Sequence, residues 1–129
     1  MWDLLKGHKN IHKDIHILQT TNSVGNELQC PHCGDYYMHH YGIELFNRHE
    51  DSEYGDHIEL YIPESHAWMY MNTNVQENIV DGNIKNNPSS RRSGIIIKFV
   101  CENCSAVSDF CIKQHKGHTL LEWRYKEKL

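Results

Sequence analysis

Two Cys-x-x-Cys units, separated by 67 residues, constrain this chain more than any other feature. The first reads Cys30-Pro-His-Cys33 and is followed by Gly34, and the second reads Cys101-Glu-Asn-Cys104. Two cysteines at this spacing can bind one ion across a tight turn, and a following glycine permits the positive φ that such turns often need. Strands that bring both turns together would complete a tetrahedral site, so the pattern predicts one Zn²⁺ bound by all four cysteines.

The predicted ion is structural rather than catalytic, because four thiolates fill its coordination shell and leave no position for water. Three cysteines completed by His32 or His39 are the alternative ligand set, and two unrelated or redox-active pairs are the competing interpretation. The fifth cysteine, Cys111, lies between Phe110 and Ile112 in a strand pattern, which predicts a small buried thiol. A reactive or substitute-ligand role for Cys111 is the alternative.

Composition places the chain among soluble proteins with one modest core. Hydrophobic residues make up 39% and charged residues 23% of its 129 residues. No apolar run approaches the roughly 20 residues that a membrane-spanning helix needs, which argues against a membrane partner. The first residues show neither a continuous apolar stretch nor a small-residue cleavage site, which predicts a cytoplasmic protein. Cysteines are reduced in that compartment, so paired cysteines favour a metal site over disulfides.

Alternating and β-branched patterns predict a mainly β fold. We expect a zinc-ribbon-like antiparallel β domain over residues 28–129, with a long insertion between the two cysteine turns. The N-terminal segment, residues 1–27, has a roughly helical spacing of apolar residues interrupted by Gly7, which favours a helix there. The predicted strands are residues 36–46, 57–63, 66–72, 94–101, 109–115 and 118–125.

Two stretches are read as turns or loops. Lys116-Gly117 is the predicted turn of a hairpin formed by the last two strands. The Asn-rich stretch 72–90 is read as a long loop with a short strand at residues 83–85.

Charge is distributed unevenly, which points to candidate partner surfaces. Residues 34–90 carry a net charge of −8, and residues 91–129 carry +4. The polar stretch 87–94 contains a double arginine, which suits clamping of phosphate or carboxylate groups. Beside it, residues 113–118 would complete one basic patch. The predicted partner-binding residues are Arg91, Arg92, Lys113, His115 and Lys116.

A plain loop is the alternative for the double arginine, with its charges paired to the acidic segment 44–64. Residues 49–57 place four acids between His49 and His57, and such a mixture can bind a metal and position water. We favour a solvated acidic loop there. His39 and His40 are adjacent in a predicted strand, so their side chains point to opposite faces. We expect one buried against tyrosines, the other exposed, and no active site assembled around them.

Several short motifs, in this order, resemble those of a family of small zinc-ribbon-like proteins found in bacteria and on phages or other mobile elements. These motifs are the first cysteine pair with the double histidine, residues 87–94, the second cysteine pair and residues 114–123. The resemblance covers about residues 28 to 124 and implies no catalytic residue. Ser93 stands where the family favours an acid. The resemblance implies recurring motifs beside the zinc site that contain Arg91, Arg92, His115, Lys116 and Gly117.

Three functions compete at this point. The first is a non-catalytic zinc-stapled module that contacts nucleic acid or a nucleoprotein complex, as a mobile-element regulator or inhibitor of a host CRISPR-type defence system. The second is a protein–protein interaction module that uses the acidic face of residues 44–64. The third is a metal-dependent nuclease or hydrolase that uses His39, His40 and the acidic residues 49–57. Because no motif identifies a nucleophile or a metal-activated water, we expect the protein not to be an enzyme.

Overall fold

The computed structural model describes residues 10–15, 17–19, 26–62 and 78–126. These residues form nine strands and no helix, and therefore no helix that could span a membrane. The strands are β1 (Asn10–Lys13), β2 (Ile17–Gln19), β3 (Asn26–Leu28), β4 (Met38–Asn47), β5 (Asp56–Tyr61), β6 (Ile79–Asp81), β7 (Gly94–Cys101), β8 (Val107–His115) and β9 (His118–Lys126).

Seven strands build one antiparallel sheet in the order β1-β9-β8-β7-β4-β5-β6, and β2 pairs with β3 in a second, two-stranded sheet. Strand β7 lies at the centre, between β4 and β8. The first cysteine pair precedes β4, and the second pair begins at the end of β7. Because β4 and β7 are antiparallel neighbours, the start of one meets the end of the other. The prediction of a mainly β, antiparallel domain with a long insertion between the cysteine turns is confirmed.

The helical interpretation of the N-terminal segment is wrong where the structure describes it. Residues 10–13 form β1, in which Ile11 is half-buried between exposed Asn10 and His12. Ile11 lies opposite Tyr125 of β9. The edge of the large sheet offers this segment a ladder of hydrogen bonds, and such tertiary pairing overrides a local helical pattern. Residues 1–9 lie outside the described residues.

The short strand in the Asn-rich stretch lies at Ile79–Asp81 and not at the predicted residues 83–85. Asp81 Oδ1 accepts a hydrogen bond from the Asn83 amide, and Asn83 Oδ1 accepts one from the Lys85 amide. Such side-chain acceptors hold the backbone in turns and compete with strand pairing. The predicted strand at residues 66–72 lies outside the described residues.

The predicted turn between β8 and β9 is confirmed. Lys116 has a φ of 49° and Gly117 a φ of 80°, so both central residues are left-handed. His115 and His118 close the two-residue loop as a paired position of the ladder. Positive φ at both central residues is the feature of the type I′ turn, whose twist matches that of the flanking strands.

One face of the large sheet carries an apolar core of Phe46, Ile96 and Cys111, on which Ile84 packs from the loop after β6. Strand alternation places buried ionisable residues on this same face, which are Glu44, His57, Glu59, Lys98, Asp109 and Arg124. The loop of residues 82–93 covers part of this face, since Asn86 hydrogen-bonds both Glu44 and Arg124.

Candidate metal centre and partner surface

The four predicted cysteine ligands come together at one end of the sheet. Cys30 Sγ lies 3.8 Å from Cys104 Sγ, and Cys33 Sγ lies 3.5 Å from Cys101 Sγ. All four sulfur atoms lie within 4.8 Å of one another. Sulfurs bound tetrahedrally to one Zn²⁺ at about 2.3 Å are separated by about 3.8 Å, so the donor set fits this ion.

The two cysteine turns have the same backbone conformation. The carbonyl of Cys30 accepts a hydrogen bond of 3.0 Å from the amide of Gly34, and that of Cys101 accepts one of 2.9 Å from Ser105. Gly34 has a φ of 82° and Ser105 a φ of 59°. Each turn therefore ends in a left-handed residue directly after its second cysteine, and the second turn does this without glycine.

Strand pairing explains how cysteines so far apart in sequence meet. Met38, the first residue of β4, lies opposite Cys101, the last residue of β7. The Glu102 amide donates to the carbonyl of Tyr37 over 2.9 Å, which joins the second turn to the segment between the first turn and β4. Asn103 Nδ2 lies 3.6 Å from Cys33 Sγ and contributes a donor to that sulfur.

Burial and hydrogen bonding affect the four thiols differently. Burial raises the pKa of both Cys30 and Cys101. Desolvation acts in the same direction on Cys33, but hydrogen bonds from the Asp35 backbone and the Asn103 side chain outweigh it and lower the pKa to about 7. A cysteine binds a metal as the thiolate, and a bound divalent cation supplies the positive charge that stabilises the buried thiolates.

Neither alternative histidine ligand joins the sulfur cluster among the described residues. The His32 ring packs against Tyr125 with 4.2 Å between ring centroids, and His39 Nε2 lies 3.0 Å from Glu102 Oε2. The expectation that one of the two adjacent histidines is buried against tyrosines is wrong, because His39 is half-buried and His40 is exposed. A register shift between His40 and Gly42 interrupts the alternation at this point, and the intervening tyrosine is the buried residue.

Cys111 is fully buried, as predicted, and contributes to the apolar core. Burial raises its pKa to about 12, which disfavours the reactive thiolate form. Its structural role is therefore that of a small apolar side chain.

The double arginine pairs with acidic residues of the neighbouring loop. Arg91 makes two hydrogen bonds to the carboxylate of Asp51, at 2.6 and 2.7 Å, and Arg92 lies 2.9 Å from Glu50. The side chains of Arg91 and Arg92 remain 42% and 37% exposed. The Arg91 hydrogen bonds lower the pKa of Asp51. The double arginine is therefore paired with the acidic segment 44–64, as the plain-loop alternative predicts. The role of both arginines in partner binding stays a prediction.

The arginine turn, which we define as residues 87–94 with Arg91 and Arg92, lies beside the β8–β9 hairpin. Ser89 Oγ donates to the carbonyl of Gln114 over 2.8 Å, and the Gln114 amide donates to the carbonyl of Ser93 over 3.1 Å. The predicted basic residues of both motifs therefore belong to one region of the surface. Lys113 in this region pairs with Glu122 at 3.2 Å.

The acidic residues 49–57 do not form one site. Glu50 and Asp51 face the arginine turn, whereas His57 lies in β5 and is buried. His57 Nε2 lies 2.9 Å from Glu44 Oε1, and its Nδ1 lies 2.8 Å from Asp81 Oδ1. These contacts belong to the ionisable residues on the buried face of the sheet.

Sequence reasoning missed this buried group. Lys98 Nζ lies 3.4 Å from Glu44 Oε2 and 3.3 Å from Glu59 Oε1, and Tyr61 donates to Glu59. One signal was present, because Lys98 interrupts the apolar run of β7 and therefore needs a buried counterion. The positions of its partners in β4 and β5 depend on sheet order and register.

The chain matches no protein-family model, no curated protein and no solved structure. The resemblance of its motifs to mobile-element proteins therefore stays a prediction.

Proposed function

We propose that this protein is a non-catalytic binding module whose β-sheet is held at one end by a structural Zn²⁺. The observation that supports this most directly is the cluster of four cysteine sulfurs at the junction of β4 and β7. A shell of four thiolates leaves no coordination position for a reacting water molecule. The ion then closes two turns that come from opposite ends of the insertion.

The partner we propose is nucleic acid or a nucleoprotein complex, bound by the basic surface. We define this surface by Arg91, Arg92, Lys113, His115 and Lys116, on the arginine turn and the β8–β9 hairpin. The contacts of Ser89 and Ser93 with Gln114 support it, because they join the two motifs. Exposed ion pairs with Glu50 and Asp51 contribute little stability, so phosphate groups can replace these carboxylates as partners of the arginines.

A regulator or inhibitor of a host nucleoprotein, such as a CRISPR-type defence complex, is the role we propose for such a module. Its support is the resemblance of the motifs to mobile-element proteins. The localisation that goes with it is cytoplasmic.

The test measures binding of fluorescently labelled single- and double-stranded DNA and RNA by anisotropy over a range of salt concentrations. When binding depends on phosphate contacts, the logarithm of the association constant falls linearly with the logarithm of the salt concentration. The slope is about −0.7 to −0.9 for each phosphate neutralised. The variant Arg91→Ala/Arg92→Ala should bind more weakly and with a shallower slope. Lys85→Ala, which removes an exposed base outside the basic surface, is the matched control and should bind like the parent.

A protein partner at the acidic edge of the sheet is the second candidate. Tyr54 and Val80 are about four-fifths exposed there, at 81% and 79%, beside the acidic residues of the 44–64 segment. Absence of binding to all four nucleic acids, together with capture of a host protein that persists at high salt, would favour this candidate over the first.

A further inference from the structure

Three potential metal-binding side chains lie together on the buried face of the sheet, in a cluster distinct from that of the four cysteines. Glu44 of β4 lies directly opposite Glu59 of β5, and His57 is the next residue of β5 on the same face. His57 Nε2 lies 2.9 Å from Glu44 Oε1 and 3.8 Å from Glu59 Oε2. One donor atom from each residue lies within 4.8 Å of the other two, and all three residues are buried.

The second ring nitrogen of His57 has the partner that metal-bound histidines usually have. Asp81 Oδ1 lies 2.8 Å from His57 Nδ1. A carboxylate on this nitrogen fixes the ring orientation and holds a proton on Nδ1, so that a metal ion at Nε2 would take the place of the proton that Nε2 donates to Glu44. In this arrangement Nε2 points at the two glutamate carboxylates.

The charges around the three donors leave room for a divalent cation. The buried Glu44 and Glu59 carry two negative charges, and Asp81, whose side chain is 43% exposed, adds a third. Lys98 contacts both glutamates with one positive charge. Buried carboxylates without a compensating cation are strongly destabilising. A proton on His57 would neutralise the buried groups and leave only the charge of the exposed Asp81, whereas a divalent ion on Nε2 would neutralise the whole group with Asp81 included.

A buried acceptor without a donor lies on the same face, beyond Lys98 in the order of the strands. Asp109 is 5% exposed and lies directly across the β7–β8 ladder from Lys98. Its Oδ2 accepts from Arg124, but Oδ1 has no hydrogen-bond partner in the described part of the chain. A buried carboxylate oxygen without a donor calls for an explanation such as a bound ion or its coordinated water.

We propose that Glu44, His57 and Glu59 form a second metal site, which takes a divalent transition ion of the Mn²⁺ type. One imidazole and two carboxylates are hard to borderline ligands that suit Mn²⁺, whereas the four thiolates suit Zn²⁺. The two sites therefore differ in ligand chemistry and can be filled selectively. This second site does not depend on the partner proposed for the basic surface.

The experiment uses the full chain loaded with one Zn²⁺ and titrates it with Mn²⁺, following free Mn²⁺ by its electron paramagnetic resonance signal. Because Mn²⁺ is the weakest binder of the divalent series, it leaves the zinc in place. We expect one Mn²⁺ bound per chain. Glu59→Gln and His57→Asn should each weaken binding at least tenfold, and Glu53→Gln, which removes an exposed acid, should bind like the parent.

A nuclear magnetic resonance measurement on the parent locates the ion without any variant. Paramagnetic broadening by Mn²⁺ should remove the amide signals of Glu44, His57 and Lys98 before that of Lys116. Failure of the zinc-loaded parent to bind Mn²⁺, unchanged binding by folded Glu59→Gln, or broadening confined to exposed acids would each overturn the proposal. If a variant does not fold, the number of Mn²⁺ ions bound by the parent and the amide signals that Mn²⁺ broadens in it test the proposal.

Discussion

Ser105 adopts, in the second cysteine turn, the left-handed conformation that Gly34 adopts in the first, with φ values of 59° and 82°. The left-handed conformation costs an L-residue roughly 1–2 kcal/mol, and a glycine at this position avoids that cost. Part of the gain is lost, because glycine has a greater conformational entropy in the unfolded chain. We therefore expect Ser105→Gly to stabilise the zinc-loaded protein by about 0.5–1 kcal/mol. Chemical denaturation measures this difference.

The reciprocal variant, Gly34→Ser, is the control for this first prediction. It introduces a side chain at a φ of 82°, where an added Cβ would lie 3.2 Å from Gln29 Nε2. It should destabilise the protein, and a Ser105→Gly variant less stable than the parent would show that the Ser105 side chain outweighs its backbone conformation.

The second prediction is that purified, reduced protein contains one Zn²⁺ per chain. Cys101→Ser should release the metal and lower the melting temperature sharply, because metal binding and folding are coupled. Cys111→Ala removes a buried thiol of the core and should retain the zinc while losing some stability. Elemental analysis of both variants checks this, and zinc retained in Cys101→Ser at the parental level would contradict the four-cysteine site.

The third prediction concerns Lys98, which is 2% exposed and lies between Glu44 and Glu59. Lys98→Met keeps much of the side-chain volume but leaves two buried carboxylates without their shared cation. Removing one partner of a buried ion pair costs about 3–5 kcal/mol, so we expect a loss of this order in chemical denaturation. Lys113→Met breaks a pair whose side chains are 26% and 17% exposed, and it should cost less than Lys98→Met. Equal losses in the two variants would contradict the central role of Lys98.

The fourth prediction is a pH dependence of the Asp51–Arg91 pair. The hydrogen bonds from Arg91 depress the folded-state pKa of Asp51 below its ordinary value of 3.8. A depressed carboxyl pKa contributes stability above the unfolded value, and this contribution is lost as the pH falls through the folded value. The parent should therefore be more stable than Asp51→Asn at pH 7, and this difference should vanish well below pH 3.8. Asparagine tolerates the positive φ of this position, so the variant isolates the charge.

The fifth prediction is that the purified protein does not cleave single- or double-stranded DNA or RNA with Mg²⁺ or Mn²⁺. His39 pairs with Glu102, while Glu50 and Asp51 pair with the arginine turn. The residues that the alternative nuclease hypothesis requires therefore do not converge. Gel assays of the parent test this. Cleavage that disappears in both His39→Ala and His40→Ala, with folding intact, would contradict the non-catalytic assignment.

Local rules were sufficient for part of this structure. The spacing within each cysteine pair determines a tight turn whose two sulfurs can share an ion, whatever surrounds it. Likewise, Lys116-Gly117 between two alternating segments determines a type I′ hairpin, since its requirements involve only the turn residues and the strand twist. The sequence also predicts Cys111 as a buried thiol, because a cysteine within a strand pattern behaves as a small hydrophobic side chain.

Sheet order and register decided what local patterns could not. Alternation along a strand shows which residues share a face with Glu44 or with Lys98, but not which residues of other strands they meet. The pairing of β4 with both β5 and β7 brings Glu44 and Lys98 together with Glu59. Strand β1 of the N-terminal segment pairs with β9 at the edge of the sheet. Local patterns cannot predict this pairing, because the two strands are more than 100 residues apart in sequence. Spacing within a few residues specifies turns and alternation. Contacts between distant segments specify which buried charges meet, and these depend on the free energy of the whole sheet.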